Sequence, residues 1–364
     1  MGRRNDDFFI CVWFAFILTA GFFLCMFLEK PDYSYNERRY LAEMPELSVD
    51  TVSSGRFMSD FEDYALDTFP FRERFRKLRA WTTANIFLFK DHHGMYLADG
   101  FLAAMEYPMQ QESLERAVRQ FAEICAGLTK ENHVYLSVIP DKNCFLGKES
   151  GHLTMDYEEF EHVMRQEAQF AEYITISDLL DKEDYYRTDP HWRQEKITDV
   201  AKRLAVSMGT TLNEDYQTHT LSRDFYGAYY GQAMLAAAPD TLRYLTGDAI
   251  DGCSVYDWQN QRPIPVYDKK KAADKDPYEC FLSGPLSLLT IKNPNARNEK
   301  RLIIFRDSFG SAIAPLLISG YEQITLADLR YIRPEILEKF ISFEKCDVLF
   351  LYSTLVLNSF ASNC

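Results

Sequence analysis

Hydrophobic and polar residues alternate in distinct ways along this chain. Residues 8–28 read FFICVWFAFILTAGFFLCMFL, 21 positions without a charge. As a helix they span about 31 Å, one hydrocarbon core. Residues 29–60 are rich in charge and proline and read as an extended lead-in. Beyond Ser54 the spacing becomes helical. Phe57, Phe61, Tyr64 and Leu66 share one segment; Asp67–Pro70 interrupt it; Phe75, Leu78 and Ile86 mark a second helix over about 71–88. Gly94 and Gly100 then bound a tight β-hairpin with Met95, Tyr96 and Leu97 in its first strand.

From Pro108 the pattern alternates between helix and strand. The predicted order is a helix to about Leu128, an apolar strand at 133–140, a helix at 156–168 and a strand within 169–179. An amphipathic helix follows at 191–209, with Ile197, Val200, Ala201 and Leu204 on one stripe. Residues 211–300 lose this rhythm and read as short antiparallel strands and long loops. It returns with strand 301–305, helix 309–319, strand 323–329, helix 334–342 and strand 347–353. Such alternation predicts an α/β fold with a mostly parallel sheet covered on both faces. The chain thus divides into a cytoplasmic tip and membrane anchor (1–29), an N-terminal extension with helices and a hairpin (30–107), and an α/β domain (108–360) with an insertion around 211–300.

Arg3 and Arg4 precede the apolar run, and no small-x-small cleavage site closes it at CMFLEK. Asp6 and Asp7 balance the two arginines, but orientation follows basic residues rather than net charge. The run is expected to be a retained signal anchor through the lipid bilayer, with the rest of the chain an extracytoplasmic ectodomain. Charge narrows the partners. Forty basic against 54 acidic residues leave the chain at −14. This argues against nucleic acid, and against a polybasic grip on anionic lipid. Six cysteines lie outside the anchor without CxxC spacing, and Cys253–Cys280 is the one pair worth checking.

Candidate chemistry collects at strand ends. Ser308 follows the strand at 301–305 and precedes a helix, so free helix amides face it. A serine hydroxyl needs a neighbouring base to become a nucleophile. His191 lies in TDPHW, two residues after Asp189. That carboxylate either caps the following helix, with Pro190 at its first position, or holds the imidazole with Nε2 free. Asp307 is a second candidate base or a turn-fixing residue. Asp141 and Lys142 end the strand at 133–140, on the same rim, where Lys142 contacts substrate or merely forms a solvated turn. FYGAYYG at 225–231 offers Tyr226 as an aromatic platform for a sugar, or forms an ordinary strand with Gly227 at a bulge. Asp91, His92 and His93 share a turn, but no third ligand is identifiable, and no metal is expected there.

TDPHW together with the later RDSFG resembles the DHHW family, related to the SGNH hydrolase-like domains of the alginate O-acetylation proteins. NERRYLAEMPELS, FEDYALDTFPFRERF, GMYLADGFL and LIIFRDSFGSAIAPLL carry the same resemblance, which runs from about residue 36 to 360 and is weakest across 211–300. It implies a flavodoxin-like, doubly wound SGNH fold. It also implies Ser308 as nucleophile, His191 as base and Asp189 as orienting acid. The activity implied is O-acetyl transfer to a cell-surface polysaccharide, or the related carbohydrate esterase reaction, without a cofactor. A multi-pass membrane O-acyltransferase is the implied acetyl source. Two departures stand out: residue 306 is Arg where relatives typically have Gly, and the Gly and Asn blocks that supply further oxyanion donors are not found. An arginine there narrows the oxyanion region, contacts substrate or closes the site. Some members of the family lack demonstrated activity, so an inactive glycan-binding or scaffold protein of the cell envelope is the alternative.

Overall fold

In the computed structural model, residues 2–360 are described except 29, 35, 36, 38, 87–90, 92, 93, 275 and 338. The chain forms two compact units, Met1–His92 and His93–Cys364.

The first unit begins with helix α1 (Gly2–Phe27), whose stretch Phe8–Cys25 is long and apolar enough to cross a membrane and is not buried by protein. Short strands β1 (Tyr33–Ser34) and β2 (Arg39–Tyr40) pair antiparallel, and helices α2 (Val49–Ser53), α3 (Arg56–Asp67) and α4 (Arg72–Asn85) follow. Asp67 at the end of α3 organises the unit. It takes two 2.6 Å bonds from Arg39 and one of 2.9 Å from the Ala42 N–H. The Arg39 guanidinium holds its carboxyl below the usual range.

The second unit opens with the hairpin β3 (Met95–Ala98) and β4 (Phe101–Ala104). Its two-residue turn, Asp99–Gly100, has both φ values positive, 49° and 82°, as a turn matched to strand twist requires. Then come α5 (Gln111–Cys125), β5 (Val134–Ile139), α6 (Asn143–Ser150), α7 (Tyr157–Glu167), β6 (Glu172–Tyr173) and α8 (Thr198–Ser207). The following segment yields β7 (Gln217–Phe225), α9 (Ala228–Ala233), β8 (Asp240–Thr246), α10 (Asp248–Gly252), β9 (Ser254–Asp257), β10 (Arg262–Ile264) and β11 (Leu288–Lys292). The chain closes through β12 (Arg301–Arg306), α11 (Gly310–Leu317), β13 (Gln323–Ala327), α12 (Pro334–Leu337), β14 (Cys346–Ser353) and α13 (Thr354–Leu357).

Eight strands form one sheet in the order β10-β9-β11-β13-β12-β14-β5-β6. The five from β13 to β6 run parallel; β11, β9 and β10 extend the sheet antiparallel. Part of the irregular 211–300 stretch is therefore continuous with the main sheet, while β7 and β8 form a separate ribbon. Strand alternation sorts the core. Leu302 and Ile304 of β12 pack with α8 and α11 on one face. Ile303 and Phe305 pack with α5 and α7 on the other. Helices cover both faces, as the apolar runs of the central strands require.

The amphipathic helix starts later than its sequence suggests. It begins at Thr198, after a 3₁₀ turn at Gln194–Lys196. The cause is a return of the chain around Pro190: the Tyr186 N–H reaches the His191 carbonyl at 3.0 Å and the Arg193 N–H reaches that of Asp184 at 2.7 Å. Those groups are spent before a helix can use them. Ile197, Val200, Ala201 and Leu204 are nevertheless all buried on one side. Cys253 and Cys280 are both free thiols.

Candidate active site

Three separated pieces of chain meet beyond the C-terminal end of β12. The first is the turn carrying Ser308. Asp307 shapes it by accepting the Phe309 N–H at 3.0 Å, and it fastens the turn to the end of neighbouring β14 through the Ser353 N–H (2.8 Å) and hydroxyl (2.6 Å). Asp307 is thus fully committed to the turn rather than free to act as a base. Ser308 is left half-buried, and its own N–H has no hydrogen-bond partner among the described residues.

The second piece is the Pro190 loop. His191 Nε2 lies 2.7 Å from Ser308 Oγ, across 117 residues of sequence. Its Nδ1 lies 2.5 Å from Asp189 Oδ1. An ionised carboxylate is acceptor only, so Nδ1 carries the proton and Nε2 presents its lone pair to the serine. The sequence left Asp189 either as a helix cap or as a partner of the imidazole; the geometry gives the second, because no helix begins there.

The third piece is the junction of β7 and α9. The Ala228 N–H donates to Asp189 Oδ2 at 2.9 Å, and the Gly227 N–H to Thr188 Oγ1 at 3.0 Å. Gly227 is required by space rather than by dihedral angle: a β-carbon there would lie 2.2 Å from Cβ of Asp189 and 2.4 Å from its Oδ2. FYGAYYG is therefore not a bulged strand. Its first residue ends β7, and Ala228–Ala233 form α9.

Aromatic rings fix the imidazole plane. Tyr278 stacks on His191 with centroids 3.8 Å apart and planes 7° from parallel, and Phe309 leans on it at 4.8 Å. Burial raises the Tyr278 hydroxyl well above the ordinary phenol range, so this ring is a neutral wall. Two bonds tie the base-bearing loop to the serine-bearing turn: Trp192 Nε1 donates to the Phe309 carbonyl at 3.1 Å, and Gln194 Nε2 to that of Ala312 at 2.7 Å.

The structure brings Ser308, His191 and Asp189 together and takes two other candidates away. Arg306 is fully buried. Its guanidinium bonds the Asp307 and Leu286 carbonyls at 3.3 Å and faces Asp328 at 3.6 Å. With its guanidinium held inside the protein by these groups, Arg306 props the C-terminal end of β12 and is not open to a ligand. Lys142 is also buried, and its Nζ bonds the carbonyls of Tyr186 at 2.7 Å and Arg187 at 3.4 Å. It braces the Pro190 loop from behind instead of lining a rim. Burial pushes its ammonium down to about 7, against the opposing pull of Asp189, Asp240 and Asp141. Asp141 is absorbed by Asn143, Tyr157 and Thr354. Tyr226 remains exposed, its ring 4.3 Å from that of Tyr230. Of the Asp91 turn, His92 and His93 lie outside the described residues. Sequence reading missed Tyr278 and Asp240, and it singled out FYGAYYG without seeing that its Gly227–Ala228 amides hold the loop; nothing in local spacing marks these roles, because they consist only in meeting the loop in space.

No family profile matches the chain, and no curated protein matches it in sequence. Solved structures do. A DHHW family protein from Eubacterium siraeum superposes with a TM-score of 0.58 at 20% identity, covering 72% of this chain and 91% of that one. Bacillus cereus PatB1 with a sulfonyl adduct gives 0.56 at 18% identity, over 72% and 94%. The O-acetyltransferase domain of Pseudomonas putida AlgJ aligns more loosely, at 0.44 and 15% identity, over 74% and 94%. At such identities the likeness is one of fold.

Proposed function

We propose that this protein is a serine-dependent O-acyltransferase anchored in the cell membrane, acting outside the cytoplasm to move acetyl groups onto a cell-surface polysaccharide. The observation that carries the reading is the continuous relay from Asp189 through His191 to Ser308, with contacts of 2.5 and 2.7 Å. The motif resemblance and the fold shared with a DHHW family protein support it.

In this reading the Ser308 hydroxyl gives its proton to His191 Nε2 while Oγ bonds the acyl carbon of the donor. The tetrahedral oxyanion accepts the Ser308 N–H, which has no other partner among the described residues. His191 returns the proton to the departing group, leaving an acyl-serine. A sugar hydroxyl then loses its proton to Nε2 and attacks the acyl carbon, and Ser308 leaves as the free alcohol. Water in place of the sugar gives the esterase reaction with the same groups. Asp189 stays ionised throughout and stabilises the imidazolium of each step. The donor is an acetyl group delivered at the membrane surface, for which a multi-pass acyltransferase is the fitting supplier. The anchor at residues 8–28 holds the protein where such a donor emerges.

The test is covalent labelling of the full chain with a fluorophosphonate or sulfonyl fluoride, read by peptide mass, alongside polysaccharide O-acetylation in cells. The expected result is one adduct, on Ser308, and loss of both labelling and O-acetylation in Ser308→Ala. Unchanged O-acetylation in Ser308→Ala overturns the reading.

A further inference from the structure

Helix α4 is built inside out. Its inward side is polar: Arg72 pairs with Glu37 at 2.8 Å and Asp67 at 3.2 Å, Arg76 with Glu37 at 3.2 Å, and Ala80 is fully buried. Its outward side carries an apolar stripe: Phe75, Leu78 and Trp81, with Ile86 just past the last turn, are each more than half exposed and follow helical spacing. Water-facing helices of globular proteins show the opposite arrangement. Exposed Lys77 and Arg79 flank the stripe on either side, and exposed Arg74 stands within it in the first turn, between Trp81 and Leu78 around the helix. The helix holds five basic residues against one carboxylate, Glu73, in a chain whose total charge is −14. The adjacent α3 instead presents Asp60, Glu62 and Asp63 to solvent, so the two helices differ in the sign of their exposed charge.

The position of the helix within its unit identifies what covers it. A cavity of about 490 Å³ is lined both by Leu24, Cys25 and Leu28 at the end of α1 and by Phe69, Phe71 and Arg74 at the start of α4. The first turn of α4 therefore lies beside the end of the apolar helix. An apolar stripe bordered by basic residues, at that level, is the composition of a helix lying in a lipid headgroup layer. Long basic side chains reach phosphates while their stems and the aromatic rings enter the acyl boundary.

We propose that α4 lies in the headgroup layer of the leaflet where α1 ends, with Phe75, Leu78, Trp81 and Ile86 toward the acyl chains and Arg74, Lys77 and Arg79 on anionic lipid phosphates. The proposal rests on the reading of α1 as a membrane anchor. A chain-wide charge conceals it, since the acidic remainder outweighs one short helix.

The experiment uses the full chain carrying p-benzoylphenylalanine in place of Leu78. It is reconstituted in nanodiscs of phosphatidylcholine with phosphatidylglycerol, or of phosphatidylcholine alone, then irradiated and analysed by peptide mass. The expected products are lipid adducts at position 78, several-fold fewer without phosphatidylglycerol and several-fold fewer in the triple variant Arg74→Gln, Lys77→Gln, Arg79→Gln. Adducts to residues 93–360 of the same chain, adducts to a second copy, or no lipid adduct from a chain that has entered the discs each overturn the proposal. A chain that stays out of the discs overturns the anchor reading itself, and the proposal with it.

Discussion

The carboxylate of Asp240 accepts both the backbone N–H and the hydroxyl of Thr188, at 2.9 and 2.6 Å, and takes the Arg187 N–H at 2.8 Å. Thr188 in turn receives the Gly227 N–H, beside the Ala228 N–H that binds Asp189. The start of β8 thus grips the loop that carries the base. Asp240→Ala leaves the buried Thr188 N–H and the part-buried Arg187 N–H without their acceptor, at about 1–3 kcal/mol for a buried unsatisfied group, and leaves the Thr188 hydroxyl only its 3.4 Å contact with the Phe225 carbonyl. The expected outcome is a lower melting temperature and at least about tenfold slower labelling of Ser308, since small misplacements are costly in rate. Equal labelling rates in the two proteins would show that the grip has no bearing on the site.

Gly227→Ala acts by a separate route. The added methyl overlaps Asp189 at its Cβ, Oδ2 and Cα, within 2.6 Å in each case. The backbone at Gly227 has φ −86°, which alanine adopts freely, so any effect is steric. Acyl transfer is expected to fall about 10²-fold or more. Steady-state turnover with a chromogenic acetyl ester measures it, and wild-type turnover in this variant contradicts the packing.

Asp189→Asn keeps the size and loses the charge. The amide oxygen still accepts the Ala228 N–H, which leaves its NH₂ against His191 Nδ1. A donor there forces the proton onto Nε2, where it can no longer take one from Ser308. The expected loss is roughly 10⁴-fold in turnover with an unchanged circular-dichroism melt. A loss below about tenfold is incompatible with the relay.

Lys142 gives the protein a pH-dependent stability. Burial puts the folded value near 7, far below the usual lysine range, so between about pH 7 and 10 the unfolded chain binds a proton that the folded chain does not. Stability therefore rises with pH across that window, and the burial penalty is fully present below it. Lys142→Met removes this contribution. Denaturant midpoints taken across the window should rise less with pH in the variant, and parallel slopes in the two proteins would refute the assignment.

Much of the sheet was legible in the sequence because its strands are buried on both faces. RLIIF and DVLFLYS are apolar enough to be read without neighbours. The Asp-x-His spacing and a strand-end serine were legible for the same kind of reason, each being local. What escaped was set by distant packing. The start of α8 moved because backbone groups at 184–193 bond one another, and no side-chain pattern reports that. Arg306 and Lys142 were read as rim residues because charge ordinarily means solvent. Here backbone carbonyls accept both heads inside the protein, and Asp328 also faces Arg306. The strands β9, β10 and β11 fall in the stretch read as an insertion of short antiparallel strands; short strands carry too little periodicity to show that they extend the main sheet.

The two bonds from Trp192 and Gln194 to the carbonyls of Phe309 and Ala312 carry a consequence for control. They weld the imidazole loop to the serine turn, so the proton acceptor and the alcohol travel as a single rigid piece. Prising the two halves apart would cost both of these buried bonds and the ring packing around them. Under the proposed acyl transfer, regulation would fall instead to whatever admits or withholds the incoming ester.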